Sequence, residues 1–210
     1  MYLTAALISQ VHASPLLESS GESEDFLGTT EDPRDAAVLN LEPLALFIWN
    51  IAMEQQKQQL CNYFLMCNGS ASSLEIYKMD LPQIRKRDKC FQGNFQKKKC
   101  LSKIIKRFQE YKKYLLFVRQ WIKHDSRQVD AMLSSTKILV DLLPLESHIR
   151  ERIAQQDKSN GAAFIQEQSS KRDWDKQVAI HVILKNFVLY MESTVRVVRF
   201  IKFIPTTVSL

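Results

Sequence analysis

Between Leu101 and Ile122 the apolar residues fall at Leu101, Ile104, Ile105, Phe108, Tyr111, Leu115, Val118 and Ile122. Steps of three and four residues draw one stripe along about six turns of α-helix, and no strand period fits them. A helix with a single apolar stripe must lay it against other helices. Three more segments repeat the pattern. The first, about 37–60, carries Leu41, Leu44, Ile48 and Ile51. Another, about 126–148, presents Val129, Met132, Leu133, Thr136, Leu139, Val140 and Leu143 before Pro144, which kinks or ends the helix and sets 145–153 apart as a separate short turn of helix. The last, about 173–201, has Ile180, Leu184, Phe187, Met191, Val198 and Ile201 on one face. Its remaining valines spread around the axis, which marks it as the most buried of the four. With the stripe helix at about 98–123, the expectation is an all-α, four-helix bundle. Only five Gly and six Pro interrupt 210 residues, too few for the turns of a β-sandwich.

Connection lengths constrain the topology. The second and third helices are joined by a few residues around His124-Asp125-Ser126 and must be antiparallel neighbours. The links at about 61–97 and 150–172 are long enough to run the length of a bundle, which favours up-up-down-down with two long crossover loops. Up-down-up-down with idle loops also satisfies the pattern. Pro43 is accommodated if Asn40 caps the first helix, because a first-turn proline gives up no hydrogen bond.

The first thirteen residues hold an apolar run from Tyr2 to Ile8 and small residues near Val11 and Ala13, the pattern of a secretory signal peptide; an apolar tail is the alternative. Residues 14–36 are acidic and rich in Ser, Gly and Thr, and read as a flexible arm before a bundle at 37–203 and a tail at 204–210. No apolar run reads as long enough for a membrane anchor. The four cysteines form two close pairs, Cys61 with Cys67 and Cys90 with Cys100. Gaps of five and nine residues fit no zinc site, and the histidines lie elsewhere in sequence, so no metal is expected. Of the three connectivities, sequential pairing gives the two shortest loops, each worth roughly 2–3 kcal/mol. A sequon at Asn68-Gly69-Ser70 offers a glycan site beside Cys67. Together these features point to a secreted, extracellular protein.

Cys90, nine residues, Cys100, six residues, Arg107-Phe108, then Tyr111 and Leu115 resemble the signature of the cytokine family that unites interleukin-6 and granulocyte colony-stimulating factor. That family has Gly-Leu where this chain has Arg107-Phe108. "DKCFQGNF", "SSTKILVDLL" and "DWDKQVAIHVILKNF" resemble the interleukin-6 side of the family, and the likeness runs from about Cys61 to Ile201. It implies a long-chain cytokine bundle that binds the interleukin-6 receptor alpha chain and then the shared transducer glycoprotein 130 to drive immune and inflammatory signalling. A growth factor like granulocyte colony-stimulating factor is the alternative.

By composition Phe91 and Phe95 either plug the bundle end or present a rigid contact; the resemblance assigns them to the alpha receptor. Arg196 and Arg199, with Ser193, otherwise read as a solvated helix end; the resemblance places them in the same receptor site, with Glu192 where the family has Gln. Trp174 by composition is a staple over the bundle end, whereas the resemblance makes it a transducer contact. Ser135 and Ile138 match a second transducer surface on the first and third helices, where Ile48 and Ala52 depart from the family's residue types.

The chain carries a net charge of +6, with Lys and Arg crowded between Arg85 and Lys123. Lys97, Lys98, Lys99, Lys103, Lys106 and Arg107 form a basic run whose ordinary reading is a solvated face. Heparan sulfate, nucleic acid or anionic lipid are the alternative partners, and no aromatic platform or nucleic-acid motif accompanies the run. No phosphate loop, nucleophile elbow or metal-binding helix points to an enzyme or a cofactor.

Overall fold

The computed structural model describes residues 33–67, 74, 77–90, 95–156 and 161–202, all within the unit Glu31–Leu210. The signal-peptide, most of the arm and the C-terminal tail fall outside these residues, as do Phe91 and Asn68. Six α-helices occur among them: α1 Pro33–Gln58, α2 Lys97–Trp121, α3 Arg127–Leu142, α4 Ser147–Gln156, α5 Gly161–Ser169 and α6 Asp173–Lys202. No strand occurs among the described residues.

The long helices α1, α2, α3 and α6 make the bundle. α1 packs on α6 and α3, and α2 packs on the same two, so α1 and α2 lie diagonally opposite. Polar contacts fix the directions. Gln59 near the end of α1 donates through Nε2 to Gln177 Oε1 at the start of α6 (3.0 Å), while Arg199 late in α6 reaches Glu42 early in α1 (2.6 Å). On the other side Arg119 pairs with Asp130 and Lys98 with Glu146, which runs α2 antiparallel to α3. α1 and α2 therefore point one way, α3 and α6 the other. The topology is up-up-down-down.

Each helix turns a repeating stripe inward. Among the described side chains, the buried residues of α1 and of the turn that continues it are Leu41, Ala45, Ile48, Ala52, Gln55 and Gln59, alternating steps of four and three as in a coiled-coil seam. α6 is buried over a wider arc, including Val178, Ile180, Ile183, Leu184, Phe187, Tyr190, Met191 and Val198. Each such side chain contributes about 1.5–3 kcal/mol by leaving water. Phe108, Tyr111, Phe187 and Tyr190 form edge-on and tilted aromatic contacts at 5.0 Å across the α2–α6 seam. The two phenols stay satisfied in the dry core. Tyr190 Oη donates to the Ile104 carbonyl and Tyr111 Oη to the Pro82 carbonyl, both at 2.9 Å, and burial pushes both phenols up out of the titrating range.

Several sequence expectations need correction. α1 begins at Pro33, inside the stretch read as an arm, so Pro43 sits in the helix interior and not in a first turn capped by Asn40. Its ring is exposed, on the side away from the core. α3 stops at Leu142, not 148. Arg150 Nε donates to the Leu145 carbonyl (3.2 Å), and the same guanidinium reaches the Val140 and Leu143 carbonyls, satisfying the end that Pro144 opens. The residues after it form the separate short helix α4, and a further helix, α5, lies within the stretch read as a crossover link at 150–172. Phe164 of α5 explains this, because its ring packs on Tyr114 and Phe117 of α2 at 4.9 and 5.7 Å. Finally, α6 is long and apolar enough to cross a membrane, contrary to the sequence reading. In this fold 67% of its most apolar window is buried inside the protein.

Candidate functional site

The crossover between α1 and α2 reaches the bundle at its staple. Cys90 and Cys100 are joined, with Cα atoms 5.0 Å apart across a separation of ten residues. Two backbone features prepare the joint. Lys89 takes a left-handed conformation (φ 61°), and the Gln96 N–H donates to the Lys89 carbonyl at 2.9 Å. Just upstream, buried Asp88 accepts the Arg85 N–H (2.6 Å) and an Arg107 guanidinium hydrogen (2.8 Å). Burial acts to raise the Asp88 pKa, but the Arg107 and Arg85 hydrogen bonds outweigh it and hold the carboxyl below its usual range. Arg107, the residue that departs from the family's Gly, thus ties the crossover to α2.

That joint sets Phe95 edge-on against Phe200 of α6, ring centroids 5.0 Å apart. Phe95 is half-buried, neither fully a plug nor fully free. Along α6, Leu189, Ser193, Arg196 and Phe200 recur at helical spacing on the outer side, and Leu189 is 47% exposed. Ser193 Oγ donates back to the Leu189 carbonyl (3.1 Å). Both arginines are exposed but already partnered, Arg196 with Glu192 and Arg199 with Glu42. Glu192, which stands where the family has Gln, is therefore a tether for Arg196. Sequence reasoning missed Leu189 and Phe200; the signal was the three- and four-residue spacing that links them to Ser193 and Arg196.

Trp174 lies at the opposite end of α6, roughly 39 Å from Phe200 at the helical rise. It is 46% exposed, with its ring set edge-on to Phe64 at 5.2 Å and tilted to Tyr63 at 6.3 Å. Phe64 follows a π-helical turn, Gln59–Tyr63, at the end of α1. Burial and the neighbouring Asp173 carboxylate push the Tyr63 phenol up, and its hydroxyl donates to Asp173 at 3.4 Å. Beneath this corner a polar layer joins three helices: Gln177 links Gln59 to the Trp121 carbonyl (2.8 Å), and Lys176 lies 3.9 Å over the Trp121 ring.

The α1–α3 surface divides the remaining candidates. Ile138 is 51% exposed, whereas Ser135 is buried at 9%, because α3 turns it towards the core beside Thr136. Ile48 and Ala52 are core residues, which accounts for their apolar character. Among the described side chains of α1 the large exposed apolar residues are Phe47 and Met53, neither singled out from the sequence. Cys61 and Cys67 are free thiols, not a bridge. A hydrogen bond from Cys67 raises the Cys61 pKa, so the two sulfurs are neighbours. The π-helical turn and the left-handed Leu65 (φ 58°) bring them together without joining them. Among the described residues no group of three or more His, Cys, Asp or Glu gathers as a metal site.

An up-up-down-down bundle with its first crossover stapled to the second helix, and with separate exposed patches at its two ends and on one side, defines a long-chain helical cytokine. The chain matches the model of the Interleukin-6/G-CSF/MGF family over residues 23–201 and belongs to that family. It is 26% identical over 200 residues to Interleukin-6 of Gallus gallus, covering 95% of this chain and 83% of the relative. Against Interleukin-6 of Saimiri sciureus the figures are 27% over 177 residues, 80% and 84%. Interleukin-6 of Vulpes vulpes is 26% identical over 180 residues, 86% of each. These are cytokines, and the chain is not an enzyme.

Proposed function

We propose that the chain is a secreted ligand of the interleukin-6 type that assembles its receptors in two stages. Phe91 and Phe95 with Ser193, Arg196 and Arg199 dock on the interleukin-6 receptor alpha chain. Trp174, at the far end, then engages glycoprotein 130, and a second copy of that transducer meets the α1–α3 side at Ile138. Ser135 contributes there only through packing. The observation that carries this reading is Phe95 held by the staple and seated on Phe200, so that crossover and last helix share one surface beside two arginines. A rigid aromatic beside charged, partly tethered arginines suits a contact that loses little entropy on docking. Because the partners engage surfaces roughly 39 Å apart on one stiff rod, their relative placement is set by the bundle.

Export is supported by the disulfide, which oxidising compartments preserve, and by the apolar leader pattern. A glycan on Asn68 belongs to the same reading.

Surface plasmon resonance against the two receptor ectodomains tests it. Phe91→Ala with Phe95→Ala is expected to weaken alpha-chain binding at least about tenfold, the loss typical of an interface anchor, with helical circular dichroism intact. Trp174→Ala is expected to keep alpha-chain binding and lose transducer recruitment. Unchanged alpha-chain affinity in the first variant would remove those aromatics from the interface.

A further inference from the structure

Two adjoining cavities open where residues 77–79 of the first crossover pass over α6. One, of about 460 Å³, is lined by Leu74, His181 and Lys185 among others. The second, of about 560 Å³, is lined by Gln168, Val178 and Ala179 among others. Tyr77, Lys78, Met79 and Val182 line both. The α6 positions, from Asp175 through Val178, Val182 and Asn186, recur at three- and four-residue steps, so they form one face roughly 17 Å long. Among the described residues assigned to a receptor, none lines either cavity.

The crossover is pinned on both sides of Lys78 and Met79. Tyr77 N–H donates to the Leu74 carbonyl (3.2 Å). Further along, Gln83 Nε2 donates to Asn186 Oδ1 (3.2 Å), and the Pro82 carbonyl accepts the Tyr111 hydroxyl (2.9 Å). Leu74, Val178, Ala179 and Val182 make an apolar floor, each less than a tenth exposed. Around it stand Lys78, Lys171 and Lys185, against Asp175 as the carboxylate among the described lining residues. Asp175 is held by Arg172 at 3.0 Å, and Lys171 meets Glu167 only at 4.0 Å, so the rim is cationic. His181 lines the inner side, and its Nδ1 has no hydrogen-bond partner. Apolar walls facing a void forgo dispersion contacts, and a buried polar nitrogen without a partner is costly.

We propose that these cavities bind a medium-chain fatty acid. Its carboxylate lies between Lys78 and Lys185 beside His181, and its hydrocarbon chain runs beneath Met79 along Val182, Ala179 and Val178. Both volumes fall in the range of sites for single small molecules, which combine apolar lining with a few polar groups. Lysine ammonium groups supply point charges for the carboxylate, and in its Nδ1–H tautomer the His181 ring donates to it. A bilayer surface would need the apolar residues exposed, whereas this floor is covered by the crossover.

Isothermal calorimetry of the whole folded chain with sodium decanoate, paired with NMR of the His181 ring, tests the assignment. Saturable binding with movement of the His181 resonances is expected. Octanoate should bind about five- to tenfold more weakly than decanoate, because two buried methylenes are lost. The neutral 1-octanol should bind at least about tenfold more weakly than octanoate. Lys78→Gln with Lys185→Gln is expected to weaken decanoate binding at least about tenfold, while Lys57→Gln with Lys137→Gln, on α1 and α3, changes it less than about twofold. Absence of saturable binding, or binding that leaves the His181 resonances in place, would overturn the site. Equal losses in the two lysine pairs would overturn its location. Octanol as tight as octanoate, or octyl phosphate tighter than both, would overturn the ligand class. No receptor is present in this assay, so its failure and that of the receptor reading are distinct.

Discussion

His181 should make the bundle lose stability on mild acidification. The residue is only 2% exposed on α6, 6.1 Å from the Phe64 ring, with no partner for Nδ1. The adjoining cavity of about 460 Å³ holds Tyr77, Lys78, Lys185 and Asn186 as its other polar groups, and no carboxylate that could favour an imidazolium. Burial, reinforced by Lys185, lowers the His181 pKa from 6.5 to about 4. Since the folded value lies below the unfolded one, the unfolded chain takes up the proton first. The stability conferred by the neutral ring is complete above 6.5 and is lost as pH falls towards 4. At roughly 1.4 kcal/mol per unit the loss approaches about 3 kcal/mol. For a domain of this size that is a fall of about 6–12 °C in Tm. Urea unfolding of the wild type and His181→Gln at pH 7, 6, 5 and 4 isolates the effect, because the other titrating groups cancel in the difference. The wild type should lose its advantage steadily over that range. A difference that stays constant with pH would refute the reasoning, as would an NMR titration of the His181 ring with a midpoint near 6.5.

Two further outcomes follow from the crossover. Asp88→Asn leaves the Arg107 guanidinium without its counter-charge and should cost about 3 kcal/mol at neutral pH. The penalty should disappear in strong acid, as pH drops through the depressed carboxyl pKa and the native carboxylate is itself neutralised. A double-mutant cycle with Arg107→Gln should show coupling above about 1 kcal/mol, and additive losses in urea unfolding would contradict the pairing. Under mild oxidation the neighbouring Cys61 and Cys67 thiols should close into a bridge. Peptide mapping that recovers both as alkylated thiols, or finds either linked to Cys90 or Cys100, would contradict this.

The bundle was legible because its signal is periodic. The α2 stripe from Leu101 to Val118 and the broad apolar surface of α6 each repeat over many turns, and long helices average out local ambiguity. α5 was not legible, since its nine residues hold one decisive anchor, Phe164, whose partners Tyr114 and Phe117 lie some fifty residues upstream. Pro43 misled for a related reason. A proline ring on the outward side of a helix can be carried when tertiary packing holds the turns on both sides. In the candidate site, Arg196 and Arg199 were visible as charges, but their tethers Glu192 and Glu42 were not, the second lying on another helix. Arg107 was visible only as one charge in a basic run. Its function as a clamp depends on Asp88, nineteen residues earlier, and only the folded crossover brings them together. The inward setting of Ser135 was not legible, because one residue of rotation on α3 separates core from surface.

The breadth of the buried arc on α6 has a bearing on how the molecule is made. Its contacts with α1 join residues as distant as Glu42 and Arg199, and it is the last of the four long helices to leave the ribosome. Until then the nascent α1, α2 and α3 present an open, greasy trough where α6 will lie. Truncation before residue 173 would leave that apolar trough uncovered, and exposed apolar surface of this kind favours aggregation.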